Sequence, residues 1–89
     1  MKDFLILTER WVKGPVTPHG CNAVEFINLS STNIVYIDGR PIPAYVAGMQ
    51  QYPSICYYGL QGEAMTGQFA VSGNTPELLI VRKFYDKKR

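Results

Sequence analysis

Short apolar runs broken by Gly, Pro, Asn and Ser dominate this chain, and apolar residues seldom recur at the spacing of a helix face. That pattern predicts strands over 3–12, 23–29, 34–37, 40–44, 54–60, 67–72 and 77–86. Between them lie the loop KGPVTPHG, the turn SSTN, and the loops QGEAMTG and SGNTPE. One segment, YVAGMQQYP, offers a helical turn, with Tyr45, Met49 and Tyr52 on one helical face. Gly48 within it and Pro53 after it oppose that turn. The expected fold is all-β: a small, mostly antiparallel β-sandwich or partly open barrel of about six strands, forming one domain over residues 1–89. No internal repeat or linker divides the chain.

Two stretches refine this picture. In ELLIVRKFYD, Leu78 to Val81 are apolar on both faces, which places that half centrally in a sheet or covers it twice. The second half alternates Arg82 and Phe84 with Lys83 and Tyr85 and is expected to emerge toward solvent. The tail Lys87-Lys88-Arg89 reads as solvated charge.

In NIVYIDGRPIPA, Asp38-Gly39 marks a two-residue hairpin turn that needs positive φ at both positions. Ile37 and Arg40 are then a hydrogen-bonded pair, Tyr36 and Pro41 a non-bonded pair, Val35 and Ile42 bonded, and Ile34 and Pro43 non-bonded. Both prolines fall where the missing N–H would point away from the partner strand. They leave this hairpin intact and blunt the outer edge of strand 40–44 against further pairing. One hairpin face carries Val35, Ile37 and Ile42, with Arg40 at the turn end; the other carries Ile34, Tyr36, Pro41 and Pro43. Both are apolar. Either the chain's own YVAGMQQY segment covers the Tyr/Pro face, or that face, with Tyr45 beside it, is a contact for another chain.

Composition narrows the class. The hydrophobic fraction is 46% and the charged fraction 18%, globular and rather poor in charge for so small a domain, as expected if some surface is meant to be covered. A net charge of +2 predicts no strong field for nucleic acid. The start MKDFLILTER holds only the apolar run Phe4 to Leu7, too short for a secretory segment, so the chain is expected in a reducing cytoplasm. Cys21 and Cys56 are accordingly expected as free thiols, with Cys56, in a strand, the more buried. The sequon at Asn28 is read as chance.

Candidate chemistry is sparse. His19 and Cys21 sit two apart in a loop, without the paired spacing of a zinc site or a third group to orient a nucleophile. The acids are scattered over strand ends and loops, and no glycine pattern cradles phosphate. No cofactor and no enzymatic activity are expected. Trp11, between Arg10 and Lys13, and the pair Tyr57-Tyr58 leave one alternative open. That alternative is a monomeric β module binding nucleic acid or a peptide through exposed aromatics.

The stretch VEFINLSSTNIVYIDGRPIPA resembles small all-β virion structural proteins of tailed bacteriophages. In these, a strand with Asn near its end precedes a Ser/Thr-rich turn, a hairpin with Gly at the bend and a Pro-containing exit strand. Asn28, Ser30, Ser31, Thr32, Gly39 and Pro43 carry the likeness, over about a quarter of the chain. It implies a capsid-decorating, connector or tail component, made in the host cytoplasm and located in the virion. Its partners would be copies of itself or a larger shell or tail protein; the short apolar runs and modest charge, separately, predict no membrane partner and disfavour nucleic acid. The residues expected to make the contact are Ile34, Tyr36, Pro41, Pro43 and Tyr45.

Overall fold

A computed structural model describes residues 4–85. Its strands are β1 (Phe4–Arg10), β2 (Ala23–Asn28), β3 (Val35–Ile37), β4 (Arg40–Ile42), β5 (Ser54–Tyr58), β6 (Val71–Gly73) and β7 (Leu78–Tyr85). They form two antiparallel sheets, one of order β1-β7-β2-β5 and one of order β4-β3-β6. The sandwich expected from the apolar pattern is thus the fold, and it is not closed into a barrel.

Alternation along β2 shows how the larger sheet is built. The Asn28 N–H donates to Pro53 O at 2.9 Å on the β5 side, while the Leu29 N–H donates to Glu77 O at 2.8 Å on the β7 side. Adjacent residues therefore bond in opposite directions, and their side chains alternate between faces. Val24, Phe26, Leu78 and Ile80 turn inward, meet Val35, Ile37 and Ile42 of the smaller sheet, and are buried. Phe69, Tyr57 and Phe26 form a ring cluster in this core. Their centroids lie 4.9 to 5.9 Å apart, in edge-on and tilted geometries that favour aromatic pairs.

The hairpin has the predicted register: Val35 opposite Ile42, Tyr36 opposite Pro41, Ile37 opposite Arg40. Asp38 and Gly39 have φ of 50° and 83°, the positive values that the turn demands. The turn is also pinned to the chain before β6. Asp38 N–H donates to Ala70 O, and Ala70 N–H donates to the Asp38 carboxylate at 2.8 Å.

Asn28 ties the two sheets together. Its buried side-chain amide donates to the carbonyls of Asn33, Ile42 and Pro43, each at 3.0 Å, and its Oδ1 accepts from Ser30 N–H at 2.9 Å. The Ser30 hydroxyl in turn accepts from the N–H groups of Thr32 and Asn33. These side chains replace ladder bonds where the chain leaves one sheet for the other.

Several expectations are corrected. Far from emerging into solvent, the second half of β7 continues as a central strand between β1 and β2. Arg82 within it is buried and faces the core side. Its guanidinium donates to Thr17 O at 2.8 and 3.0 Å and to Glu9 Oε1 at 2.6 Å. Those bonds are what make a charge tolerable there. The strand expected at 67–72 begins only at Val71, because Phe69 bridges instead to Val16 in the first loop. Ile34 and Pro43 fall just beyond the short ladder. The segment 45–52 is a turn closed by Met49 N–H to Val46 O, without a helix. No helix among the described residues is long and apolar enough to cross a membrane. The basic tail 87–89 lies outside the described residues.

Candidate contact surfaces

The sandwich leaves two outward sheet faces, one on each flank. On the three-stranded sheet, strand alternation that buries Val35, Ile37 and Ile42 completely must turn Ile34, Tyr36, Pro41 and Pro43 away from the core. Ile34 is 43% exposed and Tyr36 37%, and both prolines are exposed. The structure therefore brings four of the five predicted contact residues together on one accessible apolar patch. The segment proposed to cover it does not. Tyr45 is half-buried and packs against Tyr52, with ring centroids 4.7 Å apart. Its hydroxyl donates to Met49 O at 3.1 Å, so the segment folds upon itself. Val46, Met49 and Tyr52 add exposed apolar surface to this end of the molecule.

The second face belongs to the four-stranded sheet. Register places Ile6, Lys83, Ala23 and Tyr58 in one row across β1, β7, β2 and β5. The next rows hold Thr8, Val81, Glu25 and Cys56, then Arg10, Leu79, Ile27 and Ser54. None of Ile27, Leu79 and Val81 belongs to the core or packs against it. At the middle of the face Lys83 Nζ lies 3.7 Å from Glu25 Oε1, both half-buried. At its β5 margin, the side-chain hydrogen bond to Cys56, followed by the charge of Cys56, holds the Tyr58 phenol above its ordinary value of 10.0. Sequence reasoning placed no site here. The signal was present in Leu78 to Val81, apolar on both faces, of which only one face lies against the core.

The other candidates fall in different places. Cys21 and Cys56 are both free, but their expected burial is reversed: Cys21 is fully enclosed and Cys56 half-buried. Burial pushes the Cys21 thiol above its ordinary value of 9.0, although Arg82 opposes the shift. A nucleophile needs the opposite. His19 is exposed in the loop with φ of 59°. Trp11 is half-buried against the core and donates its ring N–H to Gly14 O at 2.8 Å, so its polar edge is spent within the chain. Tyr57 turns into the core, with the Arg40 guanidinium 5.8 Å from its ring centre, while Tyr58 is 69% exposed.

No family model, curated protein or solved structure matches the chain.

Proposed function

We propose that this chain is a non-enzymatic structural subunit of a larger assembly, a virion component of a tailed phage that acts through protein–protein contacts in the capsid, connector or tail. The observation that carries the reading is the exposed apolar patch of Ile34, Tyr36, Pro41 and Pro43, set on a hairpin that buries Val35, Ile37 and Ile42 completely on its other side. A rigid aromatic flanked by prolines costs little side-chain entropy on binding, and a tyrosine at a desolvated contact centre contributes about 2 kcal/mol or more. The virion assignment rests on the resemblance carried by residues 24–44. Synthesis in a host cytoplasm, with both thiols free, accords with it.

Tyr36→Ala tests the contact. Removing a core aromatic costs about 3 kcal/mol or more of stability. Tyr36 lies outside the core, so the variant is expected to melt close to the wild type. Association through the hairpin face, followed by light-scattering mass over a concentration series, is expected to weaken tenfold or more, the equivalent of about 1.4 kcal/mol. A variant that melts much lower but associates normally once folded would return Tyr36 to a packing role.

A further inference from the structure

We infer that a second copy of this chain packs on the outward face of the four-stranded sheet, with Lys83 of each copy meeting Glu25 of the other. The first ground is the sequence of the strands themselves. Sheets covered on both sides are built from continuous apolar runs, whereas sheets wet on one side alternate. Leu78 to Val81 in β7 are continuous, and Ile55-Cys56-Tyr57-Tyr58 in β5 and Leu5-Ile6-Leu7 in β1 repeat the pattern. The three-stranded sheet lies on the inner face alone, leaving Ile6, Ile27, Leu79, Val81 and Tyr58 outside the core.

The second ground identifies the occupant. At its centre this face carries one positive and one negative group, Lys83 and Glu25, side by side at 3.7 Å. The face also carries Arg10 at its β1 margin and Thr8, Cys56 and Ser54 among the apolar residues, but a central pair of opposite charges is complementary to itself. A two-fold axis through the midpoint of the pair, perpendicular to the line joining them, lays each Lys83 over the other copy's Glu25. Each charge then gains a second opposite neighbour as it loses water. Because Lys83 and Glu25 lie diagonally in the grid, this axis crosses the strands of the two copies steeply, within the orthogonal class of sheet packing.

Four strands spaced about 4.8 Å apart, over six residues at about 3.3 Å each, give a footprint of about 19 by 20 Å, or about 380 Å² from each copy. That is a small contact, so the dimer is expected at high protein concentration and not in dilute solution.

Charge exchange provides the test. Lys83→Glu leaves two acids at the centre of the face, and Glu25→Lys leaves two bases there. Each variant alone is expected to dimerise at least tenfold more weakly than the wild type, because like charges meet across the axis. An equimolar mixture of the two is expected to recover association as a heterodimer, since every acid then meets a base. Mass is read by sedimentation equilibrium against the 10.0 kDa chain, and folding of each variant by thermal melting. Tyr36 lies on the opposite flank, so Tyr36→Ala leaves this dimer intact, and a wild type that stops at the dimer bears on the hairpin face alone. A wild-type chain that remains monomeric at high concentration, or two folded variants that fail to associate on mixing, would overturn the inference. If either variant fails to fold, Val81→Glu replaces it. That side chain lies close to the axis, where two like charges would meet, and a dimer that persists would equally overturn the inference.

Discussion

At the scale of single residues, the polar side chains inside this protein hold positions that the backbone leaves unsatisfied. Asn28 is the main case: one amide supplies the donor for three carbonyls where two sheets meet. Leaving a buried acceptor unpaired costs about 1–3 kcal/mol. Asn28→Ala is therefore expected to lower stability by about 3 kcal/mol or more, measured as a shift of the urea midpoint at constant slope. A loss below about 1 kcal/mol would mean that the carbonyls find other donors. Of the residues that carry the resemblance, Asn28 and Ser30 thus hold the hairpin to the larger sheet, while Gly39 forms its turn.

Cys21 supplies a second test at this scale. Burial raises its thiol pKa in the folded chain above the ordinary 9.0. The folded state then holds its proton at a pH where the unfolded state has released it. The resulting stability is complete below the unfolded value and is lost as pH rises through the folded one. Melting temperature is expected to fall as pH rises above about 8.5, and to fall less in Cys21→Ala. Equal slopes for the two proteins would remove Cys21 from the alkaline limb. The sequence concealed this enclosure: Cys21 stands in a Gly/Pro loop, and its backbone bonds with the distant Met65 and the nearby Pro18 help to close the loop over it.

At the scale of elements, the hairpin was legible almost to the residue because turn chemistry, proline and pairing parity constrain the same register. The parity is visible in the structure. Asp38 bonds toward Ala70, so Tyr36, two residues away, also turns its backbone toward β6 and leaves Pro41 without a required donor. Pro41→Ala is accordingly expected to change folding stability by less than about 1 kcal/mol. It also restores a donor to the open edge of β4, so aggregation on concentration is expected to increase, read as turbidity beside the wild type. A Pro41→Ala domain that unfolds without aggregating would disprove the register. The other elements were less legible for identifiable reasons. Strand β6 is short and ends at Gly73, whose φ is 132° and where a Cβ would stand 2.7 Å from Ile34 O, so no alternating pattern announces it. Arg82 looked like an outward charge because its acceptors, Thr17 and Glu9, lie 65 and 73 residues away in the sequence.

At the scale of the whole molecule, the candidate contact face was legible and its opposite was not. The Tyr/Pro face follows from local alternation within one hairpin. The outward face of the larger sheet requires knowing that β1, β7, β2 and β5 lie side by side, an order set by pairings between distant segments. That order has a consequence for how the molecule comes into being. In the larger sheet, β1 is made first and β7 last, yet β7 is the only strand to which β1 is paired there. On a ribosome the Leu5-Ile6-Leu7 segment leaves the exit tunnel without its ladder, and it has to wait until β7 is synthesised. Closing that sheet must await β7 and is governed by the long stretch of chain between the two strands, and such topologies fold in milliseconds to seconds. An apolar strand that must wait is open to the edge of any neighbouring nascent copy. A chain made in many copies at once therefore faces its greatest risk of mispairing before its last eight described residues arrive.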